Sequence, residues 1–215
     1  MKKPGMLPLR KTSGPGRRER RRAETREKLY RAAMELFAER GFFDTSTEAI
    51  TEAADVGQGT FFNYFPTKQH VLMVLSEKQI GKVNQALEEA QAGGRSAHDV
   101  LQRLIHAIAE EPTKSAPLTR SLLATFVTSD DVRQFTGETM ARGRKTLAKI
   151  IKLGQERGEI RSDRRPVELA MTFQRSVLGT LLLWSIRPHG EVAPWLERTF
   201  QDFWDVATAR GERSK

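Results

Sequence analysis

Apolar residues along this chain recur at intervals of three and four. Leu29, Ala32, Ala33, Leu36 and Phe37 form one stripe of this kind, and Ile50, Ala53 and Ala54 begin a second. Val71, Leu72, Leu75, Ile80, Val83 and Leu87 form a longer one, followed by Val100, Leu101, Leu104, Ile105 and Ile108. Further stripes include Leu118, Leu122, Leu123, Phe126 and Val127, then Val132, Phe135, Met140, Leu147, Ile150, Ile151 and Leu153. The pattern continues from Pro166 to about Arg187 and closes from Pro194 through Trp195, Leu196, Phe200, Phe203 and Trp204. This spacing is that of amphipathic helices, and no segment shows the two-residue alternation of a half-buried strand. The predicted fold class is all-α.

The punctuation agrees with that reading. Gly41 follows Glu39 and Arg40 and can adopt the positive φ that ends a helix. Thr45 with Glu48 has the spacing of a capping box at the start of a second helix. Asp55-Val56-Gly57 reads as a tight turn, Gln58 to Phe65 as a third helix, and Pro66 as its stop. Thr67 can cap a long fourth helix that Gly93-Gly94 terminates. Ser96 with Asp99, Pro112, Pro117, Ser129, Gly158 and Pro166 mark later boundaries. Two short helices joined by a three- or four-residue turn form a helix-turn-helix, whose second helix enters the major groove of DNA. At about 100° per residue, Phe61 and Phe65 face the core, and the opposite side centres on Gly59 and Asn63, flanked by Thr60 and Phe62. Asn63 and Gln58 carry amides of the adenine-reading type, Gly59 allows close backbone approach, and Thr60 can bind phosphate or contact a base. Tyr64 can reach a phosphate from the rim, and Lys68 stands at a helix N-terminus suited to an anion. The division expected is a disordered basic arm over 1–21, a three-helix DNA-binding domain over 22–67 and a larger helical domain over 68–211.

Charge changes the picture in one place. The 215-residue chain has a net charge of +9. Nine basic residues against Glu19 alone leave the first 22 residues at +8 and the remainder at +1. Such an arm suits a polyanion, either nucleic acid or an anionic membrane surface. Pro4, Pro8, Pro15, Gly5, Gly14 and Gly16 oppose helix formation within it. Arg20, Arg21 and Arg22 could enter a minor groove or neutralise phosphates beside the helix-turn-helix. Cysteine is absent, which excludes disulfides, thiolate metal sites and a cysteine nucleophile and suits a cytoplasmic location. No apolar run follows the N-terminal charges, so a signal peptide is not expected. The apolar run Val177–Ile186 is too short by itself to cross a bilayer.

From Arg22 to about Leu75 the chain resembles the N-terminal domain of TetR-family transcriptional regulators. The residues that carry the resemblance are TREKLYRAAMELFAERGF and TSTEAITEAADVGQGTFFNYFPTKQHVL, most specifically GTFFNYF-PTK. GQERGEIRSDRRPVELA, residues 154–170, is similar to that family's approach to its penultimate helix. The resemblance implies a homodimer on a near-palindromic double-stranded operator, released by a small-molecule effector held in the C-terminal domain. It implies phosphate contacts for Thr60, Tyr64 and Lys68, and places Thr45 and Ser46 at the start of the helix that crosses the DNA backbone. Four positions depart from the family pattern. Asp55 replaces a turn glycine, Thr51 a small alanine, Gly57 a serine cap, and Phe62 a tyrosine whose hydroxyl often bonds phosphate.

The C-terminal segment Val177–Ile186 is apolar nearly all round, which places it between its own domain and a partner subunit. With the last helix it would form a four-helix dimer interface through Leu178, Gly179, Leu182, Ile186, Trp195, Phe200, Phe203 and Trp204. Candidate pocket residues are Phe126, Met140, Phe173 and Trp184, with His106, Gln174 and Arg175 as polar groups. The four histidines lack metal-ligand spacing, and no glycine-rich phosphate loop follows a strand. No enzyme activity, cofactor or metal is expected. The alternative to an effector-responsive repressor is a DNA-bound architectural protein that senses nothing; a membrane-surface role for the arm is a third reading. Removing residues 1–21 is expected to weaken operator binding and flatten its dependence on salt. Unchanged affinity and salt slope in a titration series would separate the arm from DNA binding.

Overall fold

The computed structural model describes residues 16–187 and 190–208. Among them every regular element is helical. The α-helices are α1 (Arg17–Arg40), α2 (Thr47–Ala53), α3 (Val71–Ala92), α4 (Ala97–Glu110), α5 (Ala116–Thr128), α6 (Asp130–Glu156), α7 (Pro166–Ile186) and α8 (Ala193–Thr208). Short 3₁₀ segments occupy Gln58–Asn63, Lys68–His70 and Pro112–Lys114.

Most helix ends lie where local chemistry placed them. Ser96 accepts the amide of Asp99 at 3.1 Å and starts α4; Ser115 accepts that of Leu118 at 3.2 Å and starts α5. Gly93 and Gly158 take positive φ after α3 and α6. Asp55 is the one non-glycine residue with positive φ among the described residues, at 53°, so the turn departure is absorbed by a residue type that tolerates this region.

Three expectations about boundaries need correction. Helix α1 begins at Arg17, with the Gly16 amide donating to the Glu19 carboxylate at 2.9 Å. Residues 17–21 are therefore helical rather than part of an irregular arm, while residues 1–15 lie outside the described residues. The cap of α2 is Ser46, which accepts the Ala49 amide at 3.1 Å, and not Thr45. Hydrogen bonds from its own backbone and then from Ser46 hold the Glu48 carboxyl below its ordinary pKa. Finally, α3 is preceded by the 3₁₀ turn Lys68–His70, and the Thr67 hydroxyl pairs with His70 Nδ1 at 2.8 Å instead of capping the helix.

Two hydrophobic cores result. The first gathers Leu29, Ala33 and Phe37 of α1, Phe42, Ile50, Phe61 and Phe65, and Val71, Leu72 and Leu75 of α3. It also takes Leu118 and Leu122 from α5. The second joins the later part of α3 to α4, α6, α7 and α8, through residues such as Ala90, Leu101, Ile105, Ile150, Phe173 and Phe200. Helix α3 packs most extensively on α6, α6 on α7, and α7 on α8. At Gly154 the α4 start and the α6 end come so close that a Cβ would lie 2.8 Å from that of Ala97. Arg157 ties the same corner by donating to the carbonyls of Ala90 at 2.6 Å and Arg95 at 3.3 Å.

Helix α7 contains the apolar run Val177–Ile186. Its 21 residues are long and apolar enough by composition to span a bilayer. It lies instead against α5, α6 and α8 as a core helix, with Leu169, Ala170, Phe173, Val177 and Leu181 buried.

Candidate nucleic-acid interface and internal cavity

The segment after the turn is a 3₁₀ helix, not the α-helix expected over Gln58–Phe65. The Thr60 amide donates to Gly57 at 2.8 Å and that of Tyr64 to Phe61 at 3.0 Å, three residues back in each case. Two glycines, at 57 and 59, lower the preference for regular α-helix here. The inward assignment stands: Phe61 and Phe65 are buried and their ring centroids lie 5.5 Å apart. Gln58, Gly59, Phe62 and Asn63 are exposed, and Thr60 and Tyr64 are half-buried. Phe62 is 58% exposed and lies edge-on to Phe61, so this face carries an aromatic ring where the resemblance leads one to expect a phenol. Arg20, Arg21 and Arg22 are exposed on the first turns of α1, and Ser46 is exposed at the α2 start.

Two residues that the resemblance places at the DNA have other tasks. Thr45 is 1% exposed, and its hydroxyl donates to the carbonyls of Gly41 at 2.7 Å and Leu36 at 3.3 Å. It closes the end of α1 and cannot reach a DNA backbone. The Lys68 ammonium donates to the carbonyls of Phe42 at 2.5 Å, Thr45 at 2.6 Å and Phe43 at 3.4 Å. It also sits 4.5 Å from the Phe42 ring centroid. An ammonium has three donors, and all three are taken. Partial burial pulls its pKa down, an effect that nearby Asp44 opposes.

The second feature is a half-open cavity of about 180 Å³ between the helices of the larger domain and the edge of the first core. Its walls are Leu75, Ser76, Gln79, Ile80 and Val83 of α3, Leu104 and Ile108 of α4, and Leu122, Leu123 and Phe126 of α5. Helix α6 adds Thr136, Thr139, Met140, Gly143, Arg144 and Leu147, and α7 adds Phe173, Gln174, Val177, Leu178 and Leu181. The expected Phe126, Met140, Phe173 and Gln174 are thus brought together. Arg144 donates to the Gln174 side-chain oxygen at 3.0 Å, and the Gln174 amide nitrogen to the Met140 carbonyl at 3.2 Å. Ser76 and Thr136 pair at 3.3 Å.

His106, Arg175 and Trp184 do not line it. His106 faces Glu197 across α4 and α8, at 3.3 Å. Arg175 is exposed, because one residue beyond Gln174 on a helix turns outward. Trp184 is buried and donates its indole N–H to the Gly190 carbonyl at 3.3 Å. Sequence reasoning missed Arg144 and Gln79. Gln79 stands between Leu75 and Val83 at four-residue spacing, a polar residue on an apolar stripe, which is a signal of a special environment. Both polar atoms of its amide are buried without a partner among the described residues, as is the Tyr30 hydroxyl. A buried polar group left unpaired costs roughly 1–3 kcal/mol.

The proposed dimer residues divide in a similar way. Phe200 and Phe203 are fully buried within the chain and cannot meet a partner. Trp204 is half-buried and stacks on Phe200, with His98 edge-on to it. Leu182 and Ile186 are 46% and 58% exposed, and Leu183 and Val206, not foreseen, are 60% and 48%. Leu178, Gly179 and Trp195 are half-buried.

Replacing Lys68 with Met is expected to lower stability by about 1–3 kcal/mol in urea unfolding, because three carbonyls lose their donor. The salt slope of DNA binding is expected to stay the same, whereas loss of a phosphate contact would lower it by about one.

Residues 29–73 match the family model described as bacterial regulatory proteins, tetR family. The chain is 43% identical over 61 residues to the transcriptional regulator TcmR of Streptomyces glaucescens, a match covering 28% of this chain and 27% of that regulator. With the transcriptional repressor KstR of Mycolicibacterium smegmatis the identity is 23% over 164 residues, covering 76% and 78% of the two chains. Among solved structures, the TetR-family repressor FadR of Thermus thermophilus, in complex with lauroyl-CoA, superposes with a TM-score of 0.64 and 30% identity. That superposition covers 88% of this chain and 98% of that one. With the helix-turn-helix geometry, these likenesses show that the chain belongs to the TetR family of DNA-binding transcriptional regulators.

Proposed function

We propose that this regulator is a homodimeric repressor, released from a two-fold-symmetric operator when an amphipathic effector with a long apolar chain fills the internal cavity. One observation carries this reading. Leu75 and Leu122 line the cavity and also belong to the core of the DNA-binding domain, against which the cavity residue Phe126 packs as well. Anything that displaces these side chains also acts on the domain that carries the reading face. The cavity volume is below the roughly 300–1,000 Å³ of sites that enclose drug-sized ligands. A long chain that is to be enclosed there therefore pushes α3, α5 or α6 aside. An effector shifts an equilibrium only by its differential affinity for the two states, and the displaced walls supply that difference. The lining is largely apolar, which suits a fatty acyl chain, and the Thermus thermophilus repressor was solved with lauroyl-CoA. An acyl thioester is accordingly the first effector class to test.

On this reading DNA contact falls to Arg20, Arg21 and Arg22 of α1, to Ser46, and to Gln58, Gly59, Thr60, Asn63 and Tyr64. The partner subunit packs on the outer face of α7 and α8, where Leu182, Leu183, Ile186 and Val206 stay exposed. Single exposed apolar residues are ordinary, but three within five residues of α7, with Val206 on the neighbouring α8, suit a self-complementary interface.

Fluorescence anisotropy on an operator chosen from a random DNA pool tests the effector role. Lauroyl-CoA is expected to weaken operator binding by tenfold or more, about 1.4 kcal/mol. Leu123→Trp, which fills the cavity, is expected to keep operator affinity and lose the response. Failure of every acyl-CoA to displace DNA would overturn the effector class. Leu183→Glu is expected to sediment as a monomer and to lose tight operator binding; a dimeric variant would move the interface elsewhere.

A further inference from the structure

Beside the apolar cavity, and sharing Leu75 and Gln79 with it, lies a recess of different chemistry. Its other walls are Tyr30 of α1, Lys78, Gly81, Lys82 and Gln85 of α3, and Glu110 and Glu111 at the end of α4. It therefore lies where the DNA-binding domain meets the larger one. Its charges are already matched. Lys78 pairs with Glu27 at 2.9 Å, Lys82 with Glu110 at 3.6 Å and with the Ala107 carbonyl, and Lys114 with Glu111 at 2.9 Å. What is unmatched is neutral: the Tyr30 hydroxyl, on a residue 2% exposed, and the amide oxygen and nitrogen of Gln79. Burial above all, then the carboxylates of Glu111 and Glu27, raises the Tyr30 pKa, so the hydroxyl keeps its proton as a donor.

We infer that this recess is the polar subsite of the effector site. It takes a neutral group offering both a hydrogen-bond acceptor and a donor, foremost an amide, on a ligand whose apolar chain occupies the adjoining cavity. The inference rests on the effector reading above and adds the headgroup chemistry to it. An amide carbonyl accepts from Tyr30 or from the Gln79 nitrogen, and an amide N–H donates to the Gln79 oxygen, which satisfies two of the three buried groups with one ligand. A carboxylate fits worse, since it brings no donor and adds a charge to a recess whose lysines are already paired. Two sources share the favoured chemistry: the amide-bearing arm of an acyl-CoA, and a simple fatty amide. In either case the ligand touches α1 directly, so the DNA-binding domain contributes to its own effector site.

Calorimetry on the full chain, without DNA, tests this with dodecanamide, dodecanoyl-CoA and dodecanoate. The wild type is expected to bind dodecanamide more tightly than dodecanoate. Tyr30→Phe and Gln79→Leu are each expected to weaken dodecanamide about tenfold, with dodecanoate changed less than about twofold. If dodecanoyl-CoA weakens in parallel, the coenzyme arm is a source of the group; if dodecanamide alone weakens, a smaller amide is. Equal binding of amide and carboxylate by the wild type, unchanged amide affinity in both variants, or no binding of any probe would overturn the subsite. Tyr30→Phe keeps the ring in place, and Gln79→Leu supplies an independent variant should either fold poorly. Amide binding that follows these expectations without releasing DNA would leave the subsite in place and remove only the effector role.

Discussion

One helix belongs to two cores. The first turns of α3 place Val71, Leu72 and Leu75 in the DNA-binding domain, and its last turns place Ala86 and Ala90 among α4, α6 and α7. A continuous hydrogen-bonded helix resists bending except at proline, a bulge or an inserted group, and Val71–Ala92 contains no proline. A shift of its C-terminal half against α6 is therefore passed to its N-terminal half. The cavity lies along the middle of this rod, at Leu75, Ser76, Gln79, Ile80 and Val83. Helix α5 makes a second connection, with Leu118 and Leu122 in the DNA-binding core and Leu123 and Phe126 at the cavity.

The connection also has polar pins at the junction. Arg26 and Glu77 meet at 2.9 Å, as do Glu27 and Lys78, both pairs joining α1 to α3 across partly exposed surface. Exposed pairs of this kind contribute little energy, on the order of 0–1 kcal/mol each. They fix orientation more than they hold the domains together, and the apolar contacts of Leu75, Leu118 and Leu122 supply the adhesion. Such a junction can change its angle without coming apart.

Helix ends were legible in the sequence because their causes are local. Gly93, Gly158 and Ser96 act within a few residues of where they stand. Thr45 shows where this fails: two adjacent hydroxyls could cap α2, and the choice is made by the carbonyls of Leu36 and Gly41 where α1 ends, which claim Thr45 and leave Ser46 free to cap. Lys68 was misplaced for the same reason, since its three partners lie 23 to 26 residues earlier. For α7, a helix apolar nearly all round gives periodicity nothing to orient. Phe200 and Phe203 of α8 could be read as interface only until their burial within the chain was known. The cavity was half legible: Phe126, Met140 and Phe173 followed from apolar pattern, but only the packing of α3 on α6 brings Gln79 and Arg144 to the same space.

From Val56 to Thr67 there is no charged residue, while Arg17, Arg18, Arg20, Arg21 and Arg22 are exposed on the first turns of α1. Counterion release governs the charged part of binding, and contacts to base edges govern the choice of site. A protein built this way divides the two physically. Ionic strength would alter how long it dwells on any DNA, while the ratio of its affinities for right and wrong sites would stay nearly level.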